Sequence, residues 1–129
     1  MRSYVITGAA SGIGKATAEL LEQRGHRVIG VDLHDAEIEL DLATPDGRAG
    51  LADAVAAASG GAIDAVVAVA GVARFDSLTV RVNHFGAVAT LESLRPLLAG
   101  SGAPRAVVVS SFSSLQDNDA ELVGLLEAG

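Results

Sequence analysis

The sequence predicts an α/β domain, a doubly wound parallel sheet between two helical layers (a three-layer α/β/α arrangement) with strand order 3-2-1-4-5. Three features of the 129 residues lead there. Short apolar runs rich in Val and Ile alternate with longer stretches of helical periodicity. Ala65 to Ala70 is apolar without alternation, the pattern of a parallel strand covered on both faces. A glycine-rich turn, Gly8 to Gly14, separates the first apolar run from the first helical stretch. Parallel strands need crossover connections, and right-handed crossovers place helices on both faces of the sheet.

Tyr4-Val5-Ile6-Thr7 forms the first strand. Ile13, Ala16, Leu20 and Leu21 share a helical face, and Gly25 suits the stop after that helix. Arg27 to Asp32 reads as a second strand and Ile38-Glu39-Leu40 as a weak third. Thr44-Pro45-Asp46 opens a helix, with Thr as N-cap, Pro at the first position and an acid in the first turn. It runs through Leu51, Ala54, Val55 and Ala58 to Gly60-Gly61. After the fourth strand, Thr79 to Leu98 reads as one long helical stretch and Ala106 to Val109 as the fifth strand. Glu121 to Ala128 closes the chain as a short helix carrying Leu122, Leu125 and Leu126.

Composition narrows the function. Only 3% of the residues are aromatic against 50% hydrophobic, so the core is built from Ala, Val, Leu and Ile. A net charge of −7 argues against a nucleic-acid partner, which requires a basic footprint. A small anionic cofactor remains compatible, because backbone N–H groups at a helix N-terminus can hold it. The absence of cysteine excludes disulfides and thiolate metal sites. His26, His34 and His84 are scattered, with no carboxylate at ligand spacing, so no metal site is expected. No apolar run approaches the ~20 residues of a membrane span, and Met1-Arg2-Ser3-Tyr4 does not open a signal peptide. A cytoplasmic protein is expected.

In a doubly wound sheet, ligands sit outside the carboxyl ends of the strands, where the strand order reverses. Gly8–Gly14, Asp32, Ala70-Gly71 and Ser110-Ser111 all fall at such ends. Gly8 permits a sharp turn, Gly12 lets backbone approach a pyrophosphate, and Gly14 lets the helix pack tightly on the strand. The triphosphatase phosphate loop is a rival reading of Gly14-Lys15. It fails because Ala9 stands where that pattern needs Gly, and Ala16 where it needs Ser or Thr. Asp32 is placed to accept hydrogen bonds from both hydroxyls of an adenosine ribose.

Thr7-Gly8-Ala9-Ala10-Ser11-Gly12-Ile13-Gly14 resembles the cofactor motif of the short-chain dehydrogenase/reductase family, and further stretches agree in order and distance. Asp41-Leu42 is similar to the pair after strand 3, whose acid meets the adenine amino group. Val69-Ala70-Gly71 stands where the family has Asn-Ala-Gly, and Asn83 matches the asparagine of the fourth helix. Ser111 aligns with the catalytic serine. Within the family, Gly30-x-Asp32, Asp35-Ala36-Glu37 and Val82-Asn83-x-Phe85-Gly86-Ala87 look most like the bacterial 3α-hydroxysteroid dehydrogenase/carbonyl reductase subgroup.

The resemblance implies a Rossmann-like fold whose residues 1–129 are the N-terminal part of a longer dinucleotide-binding domain. It implies cofactor contacts from Gly8, Ser11, Gly12, Ile13, Gly14, Asp32, Leu33, Asp41, Leu42, Ala70 and Gly71. Ser111 would hydrogen-bond the substrate oxygen, and Asn83 would fix a water in a proton relay. The implied activity is NAD(H)-dependent interconversion of a secondary alcohol and a carbonyl by a homodimer or homotetramer, with NADP disfavoured by Asp32 and by non-basic Ser11 and Leu33. Two departures stand out. Val69 replaces the asparagine, and the family's Tyr-x-x-x-Lys is absent: the only tyrosine is Tyr4 and the only lysine Lys15. A non-catalytic dinucleotide-binding module or pseudo-enzyme is therefore the alternative expectation.

Overall fold

A computed structural model describes the whole chain, residues 1–129. Its elements, in order, are β1 (Ser3–Thr7), α1 (Gly12–Gln23), β2 (Arg27–Asp32), β3 (Ile38–Glu39), α2 (Pro45–Ser59), β4 (Ala65–Ala68) and α3 (Ser77–Val80). A π-helical turn (Arg81–Gly86) leads into α4 (Ala87–Leu98), followed by β5 (Arg105–Val108), a 3₁₀ turn (Phe112–Leu115) and α5 (Ala120–Ala128). All strands are parallel, in the predicted order β3-β2-β1-β4-β5. Val5 of β1 lies opposite Ile29 on one side and Val66 on the other. The chain steps outward from β1 to β3, then returns past β1 to β4. Right-handed crossovers therefore set α1 on one face and α2 and α4 on the other, where α2 and α4 pack together.

The core is aliphatic. Val5, Ile29, Val31, Leu51, Val55, Ile63, Val66 and Leu94 are buried in one cluster without an aromatic ring. Each such side chain contributes about 1.5–3 kcal/mol when fully buried. No helix is long and apolar enough to cross a membrane.

Helix α2 forms as its local sequence dictates. The Thr44 hydroxyl oxygen accepts the Gly47 N–H at 3.0 Å, Pro45 opens the helix, and Gly60 ends it in the left-handed region at φ 77°. Helix α1 sits in a different rotation from the one expected. Gly14, Thr17, Ala18 and Leu21 turn inward, whereas Ile13, Ala16 and Leu20 are exposed. The close approach at Gly14 fixes the rotation, and the residues three, four and seven positions onward follow it inward. The long helical stretch begins earlier than Thr79, at Ser77, where Asp76 accepts the Leu78 N–H. It also widens into the π turn before continuing as α4. Strand β4 stops at Ala68 because the Val69 and Ala70 N–H groups leave the ladder for the Thr7 hydroxyl.

No helix joins β2 to β3. The link Leu33 to Glu37 includes Asp35 at φ 57°, a left-handed conformation uncommon outside glycine. Arg27 pins its far end with a two-point ion pair to Glu37, at 2.8 and 2.6 Å. At the other side of the sheet β5 is the outermost strand, and all four of its residues are exposed. Helix α5 leaves Leu122 and Leu125 exposed and touches the π turn through His84 Nε2, 3.3 Å from the Leu126 carbonyl.

The amino ends of the strands are tied together at Asp64. Its carboxylate accepts the Ser3 N–H at 2.8 Å and the Ser101 hydroxyl at 2.7 Å, while Arg2 donates to the Asp64 and Ala103 carbonyls. The bonds from Ser3 and Ser101 hold the Asp64 carboxyl below its ordinary value of 3.8. A depressed folded-state pKa stabilises the fold above the unfolded value, and this contribution is lost as pH falls through the folded one. Urea unfolding between pH 7 and pH 2 should therefore show a falling midpoint below about pH 4, and Asp64→Asn should flatten that acid limb. An unchanged limb would remove Asp64 from the account.

Candidate cofactor site

The site is built at the carboxyl ends of β1, β2 and β4. Gly8 turns the chain out of β1 at φ 72°, and its N–H donates to the Val31 carbonyl at 2.8 Å. A Cβ at Gly14 would overlap the Gly8 carbonyl oxygen, so only glycine lets α1 start this close to the strand it leaves. Gly12, at φ 54°, has open space where a side chain would stand. Ser11 is the N-cap of α1, yet its side chain makes no capping bond. The caps of α2, α3 and α5 all do. The first-turn N–H groups of α1 thus remain free of a side-chain acceptor, beside a backbone with nothing over it. That end of a helix favours an anion.

Asp32 ends β2 in a double role. One carboxylate oxygen accepts the Ala10 N–H at 3.0 Å and the other its neighbour Leu33 N–H at 2.7 Å. The carboxylate therefore fixes the glycine loop from outside, and each oxygen retains capacity for another donor. Asp41 accepts the Ala43 N–H at 2.9 Å. Its carbonyl accepts the Thr44 hydroxyl and packs so closely on Gly47 that a Cβ there would overlap it.

These groups line one cleft of about 380 Å³. Of the expected cofactor-contact residues it collects Gly8, Ser11, Gly12, Ile13, Asp32, Leu33, Asp41, Leu42, Ala70 and Gly71. Gly14 is not in the wall, being buried under the helix start. Val31, Leu40, Val69, Val72 and Val82 complete the wall. Val69 and Val82 belong to motif stretches without having been assigned a contact, and Val31, Leu40 and Val72 are apolar neighbours of motif residues that carry no sequence signature of their own. The only charges in the lining are Asp32 and Asp41. Arg27 is committed to Glu37, and its hydrogen bond holds the Glu37 carboxyl below its usual range. His34 is exposed and outside the cleft.

Ser111 and Asn83 meet in an adjoining cleft of about 320 Å³ that shares the wall Val69–Gly71. Ser111 Oγ accepts the Ser113 N–H at 3.2 Å and caps the 3₁₀ turn. The Asn83 amide grips Val72 at two points: Oδ1 accepts its N–H and Nδ2 donates to its carbonyl, both at 2.8 Å. One donor and one acceptor of the Asn83 amide thus hold the loop after β4, and one of each remains. Thr7 had no role of its own in the sequence reading. Buried at the end of β1, its hydroxyl oxygen accepts the Val69 and Ala70 N–H groups at 3.1 Å each. It secures the backbone beside Val69, where the family carries asparagine.

The model of the family described as short chain dehydrogenase matches residues 2–122. The chain belongs to the short-chain dehydrogenase family. It is 40% identical, over its whole length, to 3α-hydroxysteroid dehydrogenase/carbonyl reductase of Comamonas testosteroni, of which it covers 52%. Among solved structures, the 3α-hydroxysteroid dehydrogenase of Pseudomonas sp. B-0831, complexed with NADH, superposes with a TM-score of 0.91 at 44% identity. The match covers 98% of this chain and 56% of that one. The ligand-free aldohexose dehydrogenase of Thermoplasma acidophilum matches at a TM-score of 0.75 and 27% identity, with coverages of 98% and 56%. The chain thus spans about half the length of these relatives. In this family member the Thr7 to Gly14 turn has an uncapped helix start and an open Gly12, and the Asp32 carboxylate lines the same cleft.

Three substitutions test this arrangement. Thr7→Val keeps the shape and leaves the Val69 and Ala70 N–H groups unpaired. It should lower unfolding free energy by about 1–3 kcal/mol per orphaned donor. The glycines should separate by mechanism: Gly12→Ala should cost about 1–2 kcal/mol from its left-handed backbone, whereas Gly14→Ala should cost about 3 kcal/mol or more from overlap with backbone. Denaturant midpoints rank them, and equal losses would contradict the assignment.

Proposed function

We propose that the chain is the cofactor-binding part of an NAD(H)-dependent oxidoreductase that interconverts a secondary alcohol and a carbonyl. The observation that carries this is the cleft itself, where an uncapped helix start and a strand-end carboxylate face each other with no cation in the wall. The first-turn N–H groups of α1 would hold the pyrophosphate. Asp32 would accept the adenosine ribose hydroxyls, Asp41 and Leu42 would flank the adenine, and Ala70 and Gly71 would follow the ribose toward the second cleft. Bound there, the dinucleotide supplies or accepts the hydride. Ser111 lies in the second cleft, where its hydroxyl would hydrogen-bond the substrate oxygen. Asn83 lines the same cleft, where it would fix a water in a proton relay while its amide also holds Val72.

The general acid/base would be a Tyr-x-x-x-Lys contributed by further polypeptide of the same protein. A small alcohol or carbonyl compound, hydroxysteroids included, is the substrate class that the relatives' names support. A homodimer or homotetramer in the cytoplasm completes the reading.

NAD(H) should be preferred over NADP(H). A 2′-phosphate would stand against Asp32, and carboxylate and phosphate repel by about 1 kcal/mol per charge pair at 4 Å in water, more in a partly closed site. The ribose bonds to a charged acceptor, about 1.5–3 kcal/mol, would be lost as well. Together these predict at least about a hundredfold difference in Kd. Calorimetric titration of the full-length protein with NADH and NADPH measures it, and equal or tighter NADPH binding would overturn the preference. Asp32→Ala should narrow the gap and also weaken NADH, because the Ala10 N–H loses its acceptor.

A further inference from the structure

Arg48, in the first turns of α2, occupies a position no motif marks. It is half-buried, and its guanidinium does two things at once. One terminal nitrogen donates to the Leu42 carbonyl at 3.0 Å, and the group lies over the Phe85 ring, 5.7 Å from its centroid. Leu42 is buried and forms part of the cofactor cleft wall beside Asp41. Phe85 belongs to the π turn that also carries Asn83, whose amide holds Val72 on the opposite wall. Behind this link the two backbones are already close, since a Cβ at Gly86 would stand 3.3 Å from the Leu42 side chain.

We infer that Arg48 is a positioning residue that sets the grip of the cleft on the adenosine half of the cofactor by tying the Asp41–Leu42 wall to the Asn83 turn. The inference rests on the dinucleotide reading above. A guanidinium suits the task because it donates in its plane while its face stacks on a ring. The Asp41–Leu42 segment lies between β3 and α2, where the bonds at Asp41 tie it to Ala43 and Thr44 of the same loop, while the Arg48 guanidinium links it to Phe85 of the π turn. Without Arg48, the Leu42 carbonyl loses a charged donor and the two walls lose their polar connection.

The test uses ADP-ribose and NADH as probes of the full-length protein. Arg48→Met keeps length and removes both interactions, and it should raise the Kd for ADP-ribose by about tenfold, a typical loss for a hydrogen bond from a charged donor. Arg48→Lys should recover part of the affinity, because it retains a charged donor without the planar face. Phe85→Leu should weaken binding less, and its effect should not add to that of Arg48→Met. A merely structural role would lower Tm and the fraction of competent sites while leaving the Kd of the folded fraction unchanged. That pattern, or additive effects of the two substitutions, overturns the assignment while the wild-type dinucleotide binding stands. Failure of the wild-type protein to bind either probe overturns both the assignment and the reading beneath it.

Discussion

A helix can begin directly on the strand it leaves only where neither element carries a side chain at the contact. Gly14 against the Gly8 carbonyl meets that condition, and much else is arranged around it. The contact sets the rotation of α1, turning Thr17, Ala18 and Leu21 toward the sheet. It brings the helix start to the carboxyl end of β1, between the ends of β2 and β4. It also places the uncapped start of the helix in the wall of the cleft that Asp32 lines. The loop is then held from two sides, by the Val31 carbonyl under Gly8 and by the Asp32 carboxylate under Ala10.

Much of this was legible in the sequence, for identifiable reasons. The strand order follows from the alternation of elements and the handedness of crossovers. The start and stop of α2 follow from Thr44, Pro45 and Gly60, whose effects are local. The cleft residues were legible because glycines and strand-end acids leave a signature at fixed spacing. What escaped depends on contacts that no residue pattern encodes. The rotation of α1 is not legible in its hydrophobicity, which points to Ile13, Ala16 and Leu20, because backbone proximity at Gly14 decides it. The π turn left no mark in the helical periodicity. Thr7 and Arg48 act through hydrogen bonds to residues 62 and 6 positions away, and no local pattern announces either partner.

Several groups serve architecture and site together. Asp32 fixes the glycine loop with the same carboxylate that would meet the ribose. Asn83 lines the second cleft and with the same amide holds Val72, in the wall of the first. Thr7 secures the Val69–Ala70 backbone, where the family's asparagine side chain is missing. Substitutions at such positions mix two effects, and measurements of fold stability and of ligand affinity are both needed to separate them.

The outer strand β5 has a consequence of another kind. Its inner edge is paired with β4 from Arg105 to Val108, whereas its outer edge faces solvent with Val107, Val108 and Val109 exposed beside it. An exposed valine-rich edge is a template for any extended chain that reaches it, and here only Pro104 before the strand, Arg105 at its start and its length of four residues blunt that tendency. In a chain of these 129 residues, Val107 to Val109 is thus the stretch of the sheet most open to pairing with another extended segment, and the short strand with its flanking Pro104 and Arg105 is what limits it.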